Sequence, residues 1–172
     1  MFGLQIIRRY SHQLTTGISF GLTSGVITAL GMIVGLHTAT SSRLAVIAGI
    51  IVMSVADGLA DAAGVHLCEE SEVEKGKSKH SAKEIWITTF VTFISVAGFI
   101  LTFAVPVLIF PLEIAVPIAI GWGMSLLVIL NFAIARIKKV SAVKLICEHI
   151  LLAVFIIIAS FYVGNLIARW VK

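Results

Sequence analysis

Asp57 and Asp61 stand four residues apart in Leu44 to Val65, a run that holds no other charge and is long enough to cross a bilayer. A carboxylate at helix depth in hydrocarbon costs roughly 2.5 to 3.5 kcal/mol on insertion scales, so each needs a partner, water, a proton or a cation. The i, i+4 spacing places both on one helix face. Carboxylates that bind a divalent ion when ionised and a proton when neutral make the two ligands compete, which is the chemistry of cation–proton exchange. At about 1.5 Å per residue Asp57 lies about 20 Å from the outer end of its run, and Asp61 lies near the inner edge. Ser24, counted from the inner end of the first apolar run, reaches the same depth as Asp57. Asp57 is therefore expected as the central ligand, with Ser24 and Thr28 offering neutral oxygens. The same hydroxyls can also cap buried acids in a purely structural role.

Other candidate donors gather on the inner side. The segment KLICEHILL sets Glu148 and His149 at the level of Asp61. Neighbouring residues point about 100° apart on a helix, and Glu148 is expected to be the inward one. The stretch HLCEESEVEKGKSKHSAKE (66–84) carries Glu69, Glu70, Glu72 and Glu74, which can collect cations; it also suits a solvated helix extension with surface pairs such as Glu72 with Lys75. Cys68 and Cys147 fall at the cytosolic membrane edge, where a disulfide is not expected and small apolar filler is the simpler role. No P-loop, HExxH, CxxC or nucleophile with a base at hand appears, so the chain is read as neither an enzyme nor a cofactor protein.

These residues must be positioned by membrane helices. Of 172 residues 59% are hydrophobic and 13% charged, and the mean hydropathy is +1.06, leaving too little polar surface for a soluble domain of this size. Five apolar runs approach the roughly 20 residues a span needs: 17–36, 44–65, 85–110, 114–134 and 145–168. The third is overlong and holds Pro106, which predicts a tilt or kink near its end. With the N-terminus in the cytosol, the inner segments carry Arg8, Arg9, Lys75, Lys77, Lys79, Lys83, Arg136, Lys138, Lys139 and Lys144, against Arg43, Arg169 and Lys172 outside. That bias predicts N-terminus in and C-terminus out. The net charge of +4 is topogenic, favours anionic lipid and argues nothing for nucleic acid. A cleavable signal peptide is not expected, because the first apolar run is full length and lacks a small-residue cleavage site. Residues 1–16, including the amphipathic LQIIRRYSHQL, are expected to lie in the interface, and 1–172 to form one membrane domain with a cytosolic loop at 66–84.

The first span sets Gly17, Gly21 and Gly25 in a double GxxxG register, with Gly31 and Gly35 in another. Small residues every fourth position let a second backbone approach, so a tight helix contact is expected within the subunit or across a dimer; packing alone also accounts for them. Five spans forbid an even inverted duplication, so two-fold transport geometry would need a homodimer.

The motifs resemble one family. GLTSGVITALGMIVGL (21–36) is similar to the first-span motif GANDGLVSTASLVLGV of vacuolar iron transporters, with Gly21, Gly25 and Gly35 in register. Ser54, Ala56 and Gly58 of SVADG match SMAAGE, and Tyr162 and Gly164 of FYVGNLI match the closing run. Five spans, a cytosolic N-terminus and a longest inner loop after the second span also agree. The chain departs from the family pattern at its ligands: the first-span acid falls on Ser24, the second-span methionine on Val55 and the glutamate on Leu59, and the glutamate-rich cytosolic helices shrink to 66–84. The resemblance implies the fold and a homodimer, and leaves Asp57 and Asp61 to replace the missing ligands.

The resulting expectation is an all-α, five-span integral membrane protein that exports a divalent cation such as Fe2+ or Mn2+ from the cytosol by proton antiport. It would sit in the cell membrane of a prokaryote, or in an organelle the sequence does not specify. Asp61, Glu148 and the loop glutamates would gather the ion. Two further readings are a non-transporting scaffold or partner subunit of the same fold, and a proton-coupled carrier of a small solute walled by Trp86 or Trp122.

Overall fold

A computed structural model of the chain describes residues 9–74 and 76–171. Among the described residues the helices are α1 (Ser11–Thr40), α2 (Arg43–Ser71), α3 (Ala82–Thr102), α4 (Ala104–Ile109), α5 (Leu112–Lys138) and α6 (Ala142–Trp170). With α3 and α4 taken as one broken span, five helical segments among the described residues are long and apolar enough to cross a membrane, as a multi-pass membrane protein requires. A two-stranded antiparallel hairpin, β1 (Val73–Glu74) and β2 (Lys77–Ser78), pairs Val73 with Ser78 and Glu74 with Lys77 between α2 and α3.

Helices α1, α2, α5 and α6 run past both ends of the spans expected from hydropathy, and the broken third span starts earlier, at Ala82, and ends at Ile109. Within the segment expected at the interface, Ser11 to Thr16 form the first turn and a half of α1, continuous with the span; Gln13 is buried there, as is Tyr10 just before it. The rest of that expected amphipathic segment, residues 1–8, lies outside the described residues, as does Lys75. The expected loop 66–84 is likewise mostly ordered structure. α2 runs on to Ser71, Gly76 takes the left-handed φ of +78° that reverses the hairpin, and α3 starts at Ala82. Backbone groups that hydropathy assigns to loops are satisfied here by caps: Ser42 Oγ accepts from the Ala45 N–H at 3.2 Å, and Ser81 and Glu84 form a reciprocal capping box.

Pro106 explains the broken third span. It has no N–H to give to the carbonyl of Thr102, and its ring crowds that carbonyl. α3 ends at Thr102, the chain tightens so that the Phe103 N–H donates to Ile100 O at 3.1 Å, and α4 carries on to Ile109. Phe103 is fully buried at the break, and the Arg43 guanidinium donates to Leu108 O, satisfying a carbonyl at the end of α4.

The bundle is organised around α1, which packs against α2, α3, α5 and α6. Its glycines make this possible. A Cβ on Gly21 would lie 2.5 Å from Ser95 Cβ and 2.9 Å from Val96 N, and one on Gly17 2.7 Å from Val91 Cγ1. Gly25 meets Val96 O at 3.0 Å. Gly31 and Gly35 face α6 instead, where a Cβ on Gly164 would meet Gly35 O at 2.6 Å. The Gly17, Gly21 and Gly25 stripe is thus spent on an α1–α3 contact within the chain. α6 buries only Ala153 and Gly164 and leaves most of its apolar surface facing outward.

Candidate carboxylate and histidine sites

α1 and α2 run antiparallel, so residues entering α1 meet residues leaving α2. Ser24 Oγ donates to Asp61 Oδ2 at 2.5 Å, and Thr28 Oγ1 donates to Asp57 Oδ2 at 2.9 Å. Each step of four residues along α1 is matched by a step of four backwards along α2, which brings two hydroxyl–carboxylate pairs to one seam. Thr28 Oγ1 also lies 2.8 Å from Ser24 O, so its hydroxyl is shared between its own helix and Asp57. Asp57, Asp61, Ser24 and Thr28 are all half-buried, while Gly58, between the aspartates, packs on Phe93 of α3. The second carboxylate oxygen of each aspartate remains free to take a proton or cation, since each acid has a single hydroxyl donor among the described contacts.

Glu148 does not join them. It is exposed, whereas its neighbour His149 is half-buried and directs Nδ1 at Leu145 O at 3.0 Å. The expectation that Glu148 is the inward member of the pair is therefore reversed. α6 packs mainly on α1 and α5, so its inner face at this level is turned away from α2. Cys68 and Cys147 are both exposed free thiols. Trp86 and Trp122 are both exposed, and Trp122 lines an apolar cavity of about 440 Å³ with Thr102, Pro106 and Phe110. Trp122 Nε1 donates to Thr102 Oγ1 at 3.0 Å, and Trp86 lies edge-on to His66, whose Nδ1 is 2.9 Å from Thr89 Oγ1.

The four loop glutamates do not form one acidic cluster. Glu70 and Glu74 are exposed. Glu72 closes the base of the hairpin, 2.5 Å from Lys79 Nζ and 3.3 Å from His80 Nε2. The Lys79 hydrogen bond, and after it the His80 one, hold the Glu72 carboxyl below its ordinary value, and the same contact raises Lys79. Glu69 is different: it is 5% exposed at the end of α2, and Thr88 Oγ1 of α3 donates to its Oε2 at 3.3 Å. His80 Nδ1 is 4.0 Å from the same oxygen, and the His80 ring stacks on His12 of α1 at 5.7 Å with the planes 7° apart. One donor atom each from His12, Glu69 and His80 lies within 4.8 Å of the others.

Sequence reasoning missed His12, which it placed in an interfacial segment, and it had no reason to join His12 with residues 69 and 80. The SAKE capping box and the glycine in EKGK were the available signals that the chain turns back between Glu69 and His80. It also missed Asn131, buried in α5, whose Nδ2 donates to Leu127 O at 2.8 Å while Oδ1 has no partner among the described residues. No protein-family model and no curated protein matches this chain.

Proposed function

We propose that the protein is a membrane transporter that exports a divalent cation, Fe2+ or Mn2+, from the cytosol by proton antiport, and that Asp57 and Asp61 form its central site. The observation that carries this reading is the seam of two carboxylates against two hydroxyls at span depth. Acids there are costly unless they carry a proton or an ion, and a single hydroxyl donor neutralises neither. Ser24 and Thr28 supply oxygens that suit a hard or borderline cation. The excess of cationic residues at the hairpin end supports a cytosolic placement of that end, with the N-terminus inside. The resemblance to vacuolar iron transporters supports the same function and a homodimer. Glu148 is left out of the proposed site because it faces away from α2.

Purified protein in sealed vesicles with an inward-acid gradient tests this. Asn at position 57 keeps the size of Asp but cannot ionise, so Asp57→Asn is expected to fold normally and to lose most Mn2+-driven proton flux, with Asp61→Asn milder. Wild-type flux in Asp57→Asn would remove the carboxylate seam from the pathway. Absence of flux in the wild type for every cation tried would favour a scaffold with hydroxyl-capped acids.

A further inference from the structure

Glu69 presents a problem that the transport seam does not solve. A carboxylate buried to this degree is normally paired with a cation or several hydrogen-bond donors. Among the described residues it has one hydroxyl donor, at 3.3 Å, and the nearest imidazole nitrogen, at 4.0 Å, is beyond hydrogen-bond reach. Protonating both histidines would not help, because two imidazolium rings stacked at 5.7 Å repel one another. A bound cation solves all three at once. We propose that His12, Glu69 and His80 form a binding site for a divalent transition-metal ion at the hairpin end of the bundle.

The geometry fits that class of ion. Two imidazoles and one carboxylate are the donor set of open zinc-type sites, in which a fourth position is left to water. Bonds of about 2.0 to 2.2 Å put tetrahedral donors roughly 3.4 Å apart, so donor atoms within 4.8 Å need contract only modestly. Imidazole donors suit Zn2+, Fe2+, Ni2+ or Cu2+, whereas Ca2+ and Mg2+ prefer all-oxygen donor sets. His80 also has the outer support such ligands need: its Nε2 faces Glu72 Oε2 at 3.3 Å while Nδ1 faces Glu69. A carboxylate on the far nitrogen fixes the tautomer and raises the basicity of the near one. The exposed side of His12 borders a cavity of about 230 Å³ shared with Thr15, Thr16, Ser19 and Lys138, which gives room for water or an exchanging ligand.

The three donors come from three elements: the first turn of α1, the last turn of α2 and the residue that leads into the α3 cap. Binding would therefore tie the hairpin end together. Eight residues of α2, about 12 Å, separate Glu69 from Asp61, so the site is placed to load the carboxylate seam. That loading role rests on the transport reading, whereas the binding site does not.

Co2+ titration of the full-length protein in detergent, followed by its visible ligand-field bands, tests the proposal. One equivalent is expected to give an intense four-coordinate spectrum. His12→Ala and His80→Asn should each weaken binding at least ~10-fold, and Glu72→Gln by roughly 10- to 100-fold as an outer-shell change. Asp57→Asn with Asp61→Asn should keep the spectrum while losing transport, which separates this site from the seam. No band at millimolar Co2+, or a band unchanged in His12→Ala, would overturn it. His12 is exposed, so its variant stays informative if His80→Asn misfolds.

Discussion

Replacing Gly21 with Ala asks whether the α1–α3 contact is as tight as the structure makes it. The added Cβ would sit 2.5 Å from Ser95 Cβ and 2.9 Å from Val96 N. Carbon atoms in ordinary contact are about 3.5 to 4.0 Å apart, so the helices must part by about 1 Å. The obstacle is backbone and a Cβ, neither of which can rotate away. Overpacking of this kind costs about 1 to 3 kcal/mol, and a gap of 0.5 to 1 Å forfeits a quarter to a half of each neighbouring dispersion contact. Against this, Ala gains about 1 kcal/mol over Gly in helix propensity. The net expectation is a loss of up to about 2 kcal/mol. Gly98 and Gly121 are the controls: both are mid-helix and have nothing within 4 Å of an added Cβ, so their Ala variants should be unchanged or more stable by up to ~1 kcal/mol. Unfolding in mixed micelles followed by far-UV circular dichroism gives the comparison. If Gly21→Ala is as stable as Gly98→Ala, the close packing is wrong and the stripe is free for a partner chain.

Ser24→Ala removes the donor to Asp61, and interhelical hydrogen bonds in membranes average about 0.6 kcal/mol with a maximum near 1.7; stability should fall within that range while Mn2+-driven proton flux falls several-fold. Equal flux in wild type and variant would reduce the Ser24 hydroxyl to a cap. Phe103→Ala at the break above Pro106 should cost about 3 to 5 kcal/mol as a core deletion, whereas Phe90→Ala, with a ring 60% exposed to the bundle surface, should cost far less; equal losses would mean that the break is not packed as described.

The membrane helices were legible because their signal is bulk hydropathy over about 20 residues, which survives errors at the ends. The ends were not, because polar caps such as Ser81 with Glu84 extend a helix past the point where hydropathy falls. The seam was legible in part. The depths of Ser24 and Asp57 follow from counting residues along each helix, yet the observed pairing is one turn out of register: Ser24 meets Asp61, and Thr28 meets Asp57. Counting fixes axial height to about a turn, while the tilt and the glycine contact with α3 set the rest. Choosing between Glu148 and His149 failed because periodicity gives the angle between two residues but not which of them faces the bundle. His12, Glu69 and His80 were illegible as a group, since 57 residues separate the first two in the chain and a hairpin folds the third back.

Both candidate sites straddle α1 and α2, and that has a mechanical consequence. α1 is held to α3 by near-backbone contact at Gly17, Gly21 and Gly25, which makes the two a paired body, and α2 also packs broadly on α3, with Gly58 against Phe93. α3 in turn carries Thr88, the hydroxyl on Glu69, and begins just after His80. The α1–α2 seam is instead closed through hydroxyls and acids, which a proton or cation can re-pair at small cost. Any axial shift of α2 against the α1–α3 body would change the Asp57, Asp61 and Glu69 environments in the same stroke. If a cation binds between His12, Glu69 and His80 as proposed, it would pin α2 to α1 and to the start of α3, and the hairpin end would then be a point from which the seam could be controlled.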